Sequence, residues 1–123
     1  MHRYPMCVAV AAGLVGAPLA AQSADAPAQV TAAAVDAGRK IFHADGNCFQ
    51  CHGGNLEGGP IAPALATGTF KDAKEGTYEA ILGVVTNGVP GTAMVSHPGG
   101  ISDEQVKQVA AYVWAVSHKK AKP

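Results

Sequence analysis

Residues 48–52 read Cys48-Phe49-Gln50-Cys51-His52, five residues that commit the chain to one kind of architecture. The CxxCH form is the attachment signature of a c-type haem. Two thiols at this spacing reach the two vinyl groups on one edge of a porphyrin, and the adjoining histidine offers a ring nitrogen to the iron. Other readings of the cysteine pair fail on the rest of the chain. A structural zinc site needs two further ligands, and no second cysteine pair follows. A thioredoxin-like redox pair sits beside a βαβ pattern, and nothing here alternates strands with helices. A plain disulfide leaves His52 without a role. The expected cofactor is one covalently bound haem c, with Cys48 and Cys51 as thioether anchors and His52 as the first axial ligand.

The composition suits a small domain built on such a group. Of 123 residues 48% are hydrophobic but only 6% are aromatic, so a compact core lacks large rings unless something else fills it. A porphyrin is that body. Nine Lys and Arg balance nine Asp and Glu, which gives no basic face for the phosphates of a nucleic acid. Fifteen glycines and eight prolines make the chain loop-rich. They still fall below the roughly 25–30% that marks low-complexity sequence.

The first residues read as an export signal. Arg3 supplies a positive start, and the uncharged stretch 6–21 supplies an apolar run ending in small residues. That run holds Gly13, Gly16 and Pro18 and is shorter than the about 20 apolar residues of a spanning helix. Residues 1–21 are therefore expected to be a signal peptide cleaved between 20 and 24, leaving a periplasmic protein with no membrane span. Cleavage removes Cys7 and two of the three methionines. Residues 22–34, small, polar and Ala/Pro-rich, read as a flexible leader, and residues 35–120 as the folded domain.

Within that domain the apolar periodicity is helical. Val35, Gly38, Ile41 and Phe42 share one face of a helix over 35–43. Residues 53–69 hold too many Gly and Pro for a helix and read as a long loop wrapped around the haem. Tyr78, Ile81, Leu82 and Val85 mark a second helix, which Thr77 caps and Asn87-Gly88 ends. Residues 86–101 again read as loop. Ser102-Asp103-Glu104-Gln105 is a capping box opening the last helix, whose buried face carries Val106, Val109, Ala110, Val113 and Ser117. No strand pattern appears, so the fold class is all-α.

Met94 is the one methionine left after export. It lies in a Gly/Pro-rich loop 42 residues beyond His52, enough chain to come round a porphyrin. Its thioether is the expected second axial ligand, soft and favourable to Fe(II). Two alternatives stay open: Met94 as a gap-filling core side chain, and His97 as the ligand in its place.

Four pieces together carry a resemblance to a family. They are Gly38-Arg39-Lys40-Ile41-Phe42, the CFQCH motif, Asn87-Gly88-Val89-Pro90-Gly91-Thr92-Ala93-Met94, and the terminal SDEQVKQVAAYVW helix. Over residues 35–118 the chain resembles the small class I cytochromes c of bacteria. The resemblance implies a cytochrome c-like fold of few helices and long loops. It also implies that the first and last helices cross where Gly38 and Phe42 meet Val109 and Tyr112. It implies a proline carbonyl supporting the axial histidine; Pro63 is the expected residue and Pro60 the rival. Val95 directly follows Met94, where many relatives carry proline.

The function so implied is that of a periplasmic monohaem electron carrier with a His/Met-ligated iron, not an enzyme. It would be a monomer that docks transiently on redox proteins through loops near the haem edge, with Phe49, Gly53, Gly91 and Ala93 as candidate rim residues. The loop 93–100 resembles that of cytochromes serving alcohol-oxidising quinoproteins, so a quinoprotein dehydrogenase is one expected partner and a terminal oxidase another. The competing reading is an open-site haem protein that binds or reduces a small ligand. Arg39, Tyr112 and Trp114 are expected in helix packing or on a solvated face, and His43 and His118 on the surface.

Overall fold

The computed structural model describes residues 25–123. The expected signal peptide, its cleavage at 20–24 and Cys7 lie outside the described residues. Four helices follow in order: α1 (Ala32–His43), the single-turn α2 (Phe49–His52), α3 (Tyr78–Asn87) and α4 (Asp103–Ser117), with a 3-10 turn at Pro98–Gly100. Among the described residues there is no strand, and no helix is long and apolar enough to cross a membrane.

Helix α1 starts three residues before the expected boundary. Thr31 accepts a hydrogen bond from the Ala34 N–H at 3.1 Å, and the three alanines behind it are the strongest helix formers. The part of the expected leader 22–34 that the structure describes, 25–34, lies against the domain. Val30 is buried, its N–H donates to Pro27 O at 2.9 Å, and Ala26 packs on the core. Apolar side chains within the supposed leader are what draw it onto the domain.

Helices α1 and α4 cross at Gly38. A Cβ built there would overlap the Gln108 carbonyl oxygen and lie 2.8 Å from Tyr112 Cβ, so only glycine lets the two backbones meet. Beside the crossing Phe42 meets Tyr112 edge to face, with ring centroids 5.6 Å apart. The capping box of α4 is formed in full, with Gln105 N–H donating to Ser102 Oγ and Ser102 N–H to Gln105 Oε1. The helix is buried continuously from Val109 to Ser117, more than the single face expected, because α1 and α3 cover it together. Trp114 stacks on His118 at 4.1 Å at the far end of α4. Helix α3 runs two residues past the last expected apolar position and ends at Gly88.

Candidate functional site

The end of α1 leads directly into the motif. The Gly46 N–H donates to Ile41 O at 2.8 Å and the Cys48 N–H to Phe42 O at 3.1 Å, so Cys48 is placed by the core helix before α2 begins. One helical turn then carries Phe49 to His52. Residues three apart share a helix face, and both thiols and the His52 ring border the same cavity. No disulfide joins Cys48 to Cys51, so both sulfurs are available for thioether bonds.

His52 Nδ1 lies 2.9 Å from the Pro63 carbonyl oxygen. A carbonyl only accepts, so Nδ1 carries the proton and Nε2 presents a lone pair. Pro63 is the residue that meets the histidine; Pro60 is exposed and makes no such bond. The loop between them is locked by its own backbone, with Gly58 N–H on His52 O at 2.7 Å and Leu65 N–H on Leu56 O at 2.8 Å. Leu56 is wholly buried and anchors it.

The loop after α3 brings Met94 to the same cavity. Gly88 turns the chain with φ 69°, and a Cβ there would lie 2.7 Å from Met94 O. The Val89 N–H donates to that oxygen at 2.8 Å, and Met94 N–H donates to Thr92 Oγ1 at 3.1 Å. His97 is not among the walls. Its Nδ1 faces Ser96 Oγ and its Nε2 faces Asp103 Oδ1, each at 2.8 Å.

The cavity is walled mostly by apolar side chains: Phe42 from α1, Leu65 and Phe70 from the long loop, Ile81, Val84 and Val85 from α3, and Val109 and Val113 from α4. It opens to solvent on one side and encloses about 220 Å³. Protein interiors close-pack and leave few voids larger than a water molecule. An apolar hollow of this size, lined by Cys48, Cys51, His52 and Met94 among apolar side chains, fits a covalently held haem.

Of the candidate rim residues, Ala93 borders the cavity, while Phe49, Gly53 and Gly91 do not. The mouth instead has Ile61 and Val95, 71% and 57% exposed, neither of which is among the expected rim residues. A bulky apolar residue inside the otherwise small-residue loop 58–64 was the signal for Ile61. Arg39, Tyr112 and Trp114 are not among the cavity walls.

The family model described as "Cytochrome C oxidase, cbb3-type, subunit III" matches residues 33–113. Cytochrome c6 of Leptolyngbya boryana is 40% identical over 80 residues, covering 63% of this chain and 86% of that protein. The chain belongs to the small class I c-type cytochromes. This cytochrome shares 32% identity with the solved cytochrome c6 of the diatom Phaeodactylum tricornutum, at a TM-score of 0.55 over 69% of this chain and 95% of that one. Cytochrome cL of Methylophaga aminisulfidivorans superposes with a TM-score of 0.60 over 73% of this chain at 21% identity, a likeness of fold. This chain spans 60% of that protein's length. The cytochrome is a monohaem c-type electron carrier with one covalently bound haem c.

Proposed function

We propose that this cytochrome is a periplasmic carrier, not an enzyme, whose iron is held axially by His52 and Met94. The observation that carries the reading is that His52 and Met94 line one mostly apolar cavity together with Cys48 and Cys51. Cys48 and Cys51 anchor the haem covalently, and the group supplies a one-electron Fe(III)/Fe(II) couple. His52 gives Nε2 to the iron, oriented by its Nδ1–H bond to Pro63 O. Met94 gives a soft sulfur that favours Fe(II) and raises the potential relative to a second histidine. With His52 and Met94 both holding the iron, no ligand would be gained or lost when its charge changes.

The charged and then apolar start of the sequence supports export to the periplasm. Ile61 and Val95 at the mouth support transient docking on redox proteins, for which a small apolar contact suffices. A quinoprotein dehydrogenase or a terminal oxidase is the proposed class of partner. The oxidase named in the family description supports the second.

Visible and near-infrared absorption of the mature protein tests the ligation. A low-spin spectrum with the weak Met-to-Fe(III) charge-transfer band, lost in Met94→Ala, is expected. A low-spin spectrum without that band overturns Met94. A high-spin spectrum that responds to carbon monoxide overturns the carrier reading in favour of an open site.

A further inference from the structure

Between Met94 and the start of α4 the chain carries one ionisable side chain, His97. Its ring is held at both ends. Nε2 lies 2.8 Å from Asp103 Oδ1 on the first turn of α4, and Nδ1 lies 2.8 Å from Ser96 Oγ. Ser96 Oγ in turn donates to the Thr86 carbonyl on the last turn of α3 at 2.5 Å. The His97 N–H adds a bond to Val85 O at 3.0 Å. The imidazole thus spans from one helix end to the other, just beyond the methionine. His97 takes a left-handed backbone, φ 46° and ψ 61°, which a non-glycine residue adopts only when its surroundings hold it there.

Thr86 O can only accept, so Ser96 Oγ donates to it. Ser96 Oγ and Asp103 Oδ1 sit at opposite nitrogens of the ring, so the ring bridges them.

We infer that His97 is a positioning residue for Met94: an imidazole strut that ties Asp103 at the start of α4, through Ser96, to the end of α3. It keeps the thioether at the cavity wall. The inference rests on the reading of Met94 as an axial ligand. Other charged groups nearby are turned elsewhere. Glu104 faces Lys107 at 3.6 Å, and Asp45, on the turn before the haem motif, accepts from Gln105 Nε2 at 3.2 Å. The last turn of α3 and the loop 88–102 carry no Asp, Glu, Lys or Arg.

One measurement on the haem-loaded protein tests this. In the oxidised protein, free imidazole is titrated against Met94 and read by loss of the near-infrared band. His97→Phe keeps a ring and removes both bonds, and is expected to raise the apparent imidazole affinity about threefold or more. A smaller change overturns the positioning role. Should His97→Phe not fold, Asp103→Ala, at an exposed carboxylate, carries the same test. A wild-type protein without the band overturns Met94 ligation itself, which separates the two failures.

Discussion

His52 Nδ1 and the carbonyl oxygen of Pro63 are 2.9 Å apart, joining the haem motif to the loop eleven residues further on. The bond uses the backbone of Pro63, not its ring. Proline's part is to stiffen a loop that otherwise relies on Leu56 and a few backbone bonds. Pro63→Ala keeps the carbonyl and hence the histidine tautomer. The absorption spectrum should be unchanged while stability falls by about 0.4–1 kcal/mol, because the unfolded chain gains freedom. Denaturant unfolding followed at the haem band checks this. Loss of histidine ligation in Pro63→Ala would contradict the role given to the carbonyl.

Gly38 is the point of contact between α1 and α4, with no room for a Cβ against Gln108 and Tyr112. The obstruction is backbone, which cannot swing aside as a long side chain can. Gly38→Ala should cost about 1–3 kcal/mol, the usual penalty for overpacking, despite alanine's better helix propensity. Thermal unfolding of the haem-loaded protein measures it. A stabilised variant would show that the helices can slide apart without loss.

Gly38 also shows what the sequence could and could not disclose. A glycine in a good helical pattern costs helix propensity, so its presence points to a close crossing, and Phe42 with Tyr112 completed that reading. CxxCH, the capping box at Ser102 and the Met94 loop were legible because each is a local arrangement with its own chemistry. The choice of Pro63 over Pro60 depends on how loop 53–69 coils, with Gly58 turned back on the His52 carbonyl, and no periodicity encodes that. The packing of Val30 and the exposure of Ile61 were hidden for a related reason. Both are set by which surfaces the loops leave uncovered, which is a property of the assembled fold. His97 drew notice as a possible ligand, whereas the partner that holds it, Asp103, read only as part of the stretch that caps a helix.

Ile61 and Val95 are large apolar side chains left in solvent at the mouth of the cavity. Replacing both with serine removes apolar contact area without adding charge. Electron self-exchange between oxidised and reduced copies, measured by NMR line broadening, should slow about tenfold, equivalent to roughly 1.4 kcal/mol in encounter stability. The absorption spectrum should not change. An unaltered exchange rate would move the docking surface away from the mouth.

Tyr112 is 0% exposed, and its hydroxyl has no hydrogen-bond partner among the described residues. Burial pushes its phenol up, opposed in part by the Arg39 guanidinium 5.5 Å from the ring centroid. The sign follows from which form the fold prefers. The folded state favours the neutral phenol, so its contribution is complete below the ordinary tyrosine value of about 10 and is lost as pH climbs through the raised one. Tyr112→Phe removes both the unpaired hydroxyl and this titration. It should stabilise the protein by about 1 kcal/mol near neutral pH and flatten the loss of stability above about pH 10. Tyr78 is the contrasting case. Burial, then Glu104 and Glu79, push its phenol up too, but its hydroxyl donates to Lys107 O at 3.3 Å. Tyr78→Phe should therefore cost about 0.5–1 kcal/mol at neutral pH while also flattening the alkaline limb. Urea unfolding of both variants at pH 7 and pH 10.5 separates the two. Equal effects of the two substitutions at pH 7 would mean that the Tyr112 hydroxyl is satisfied in solution.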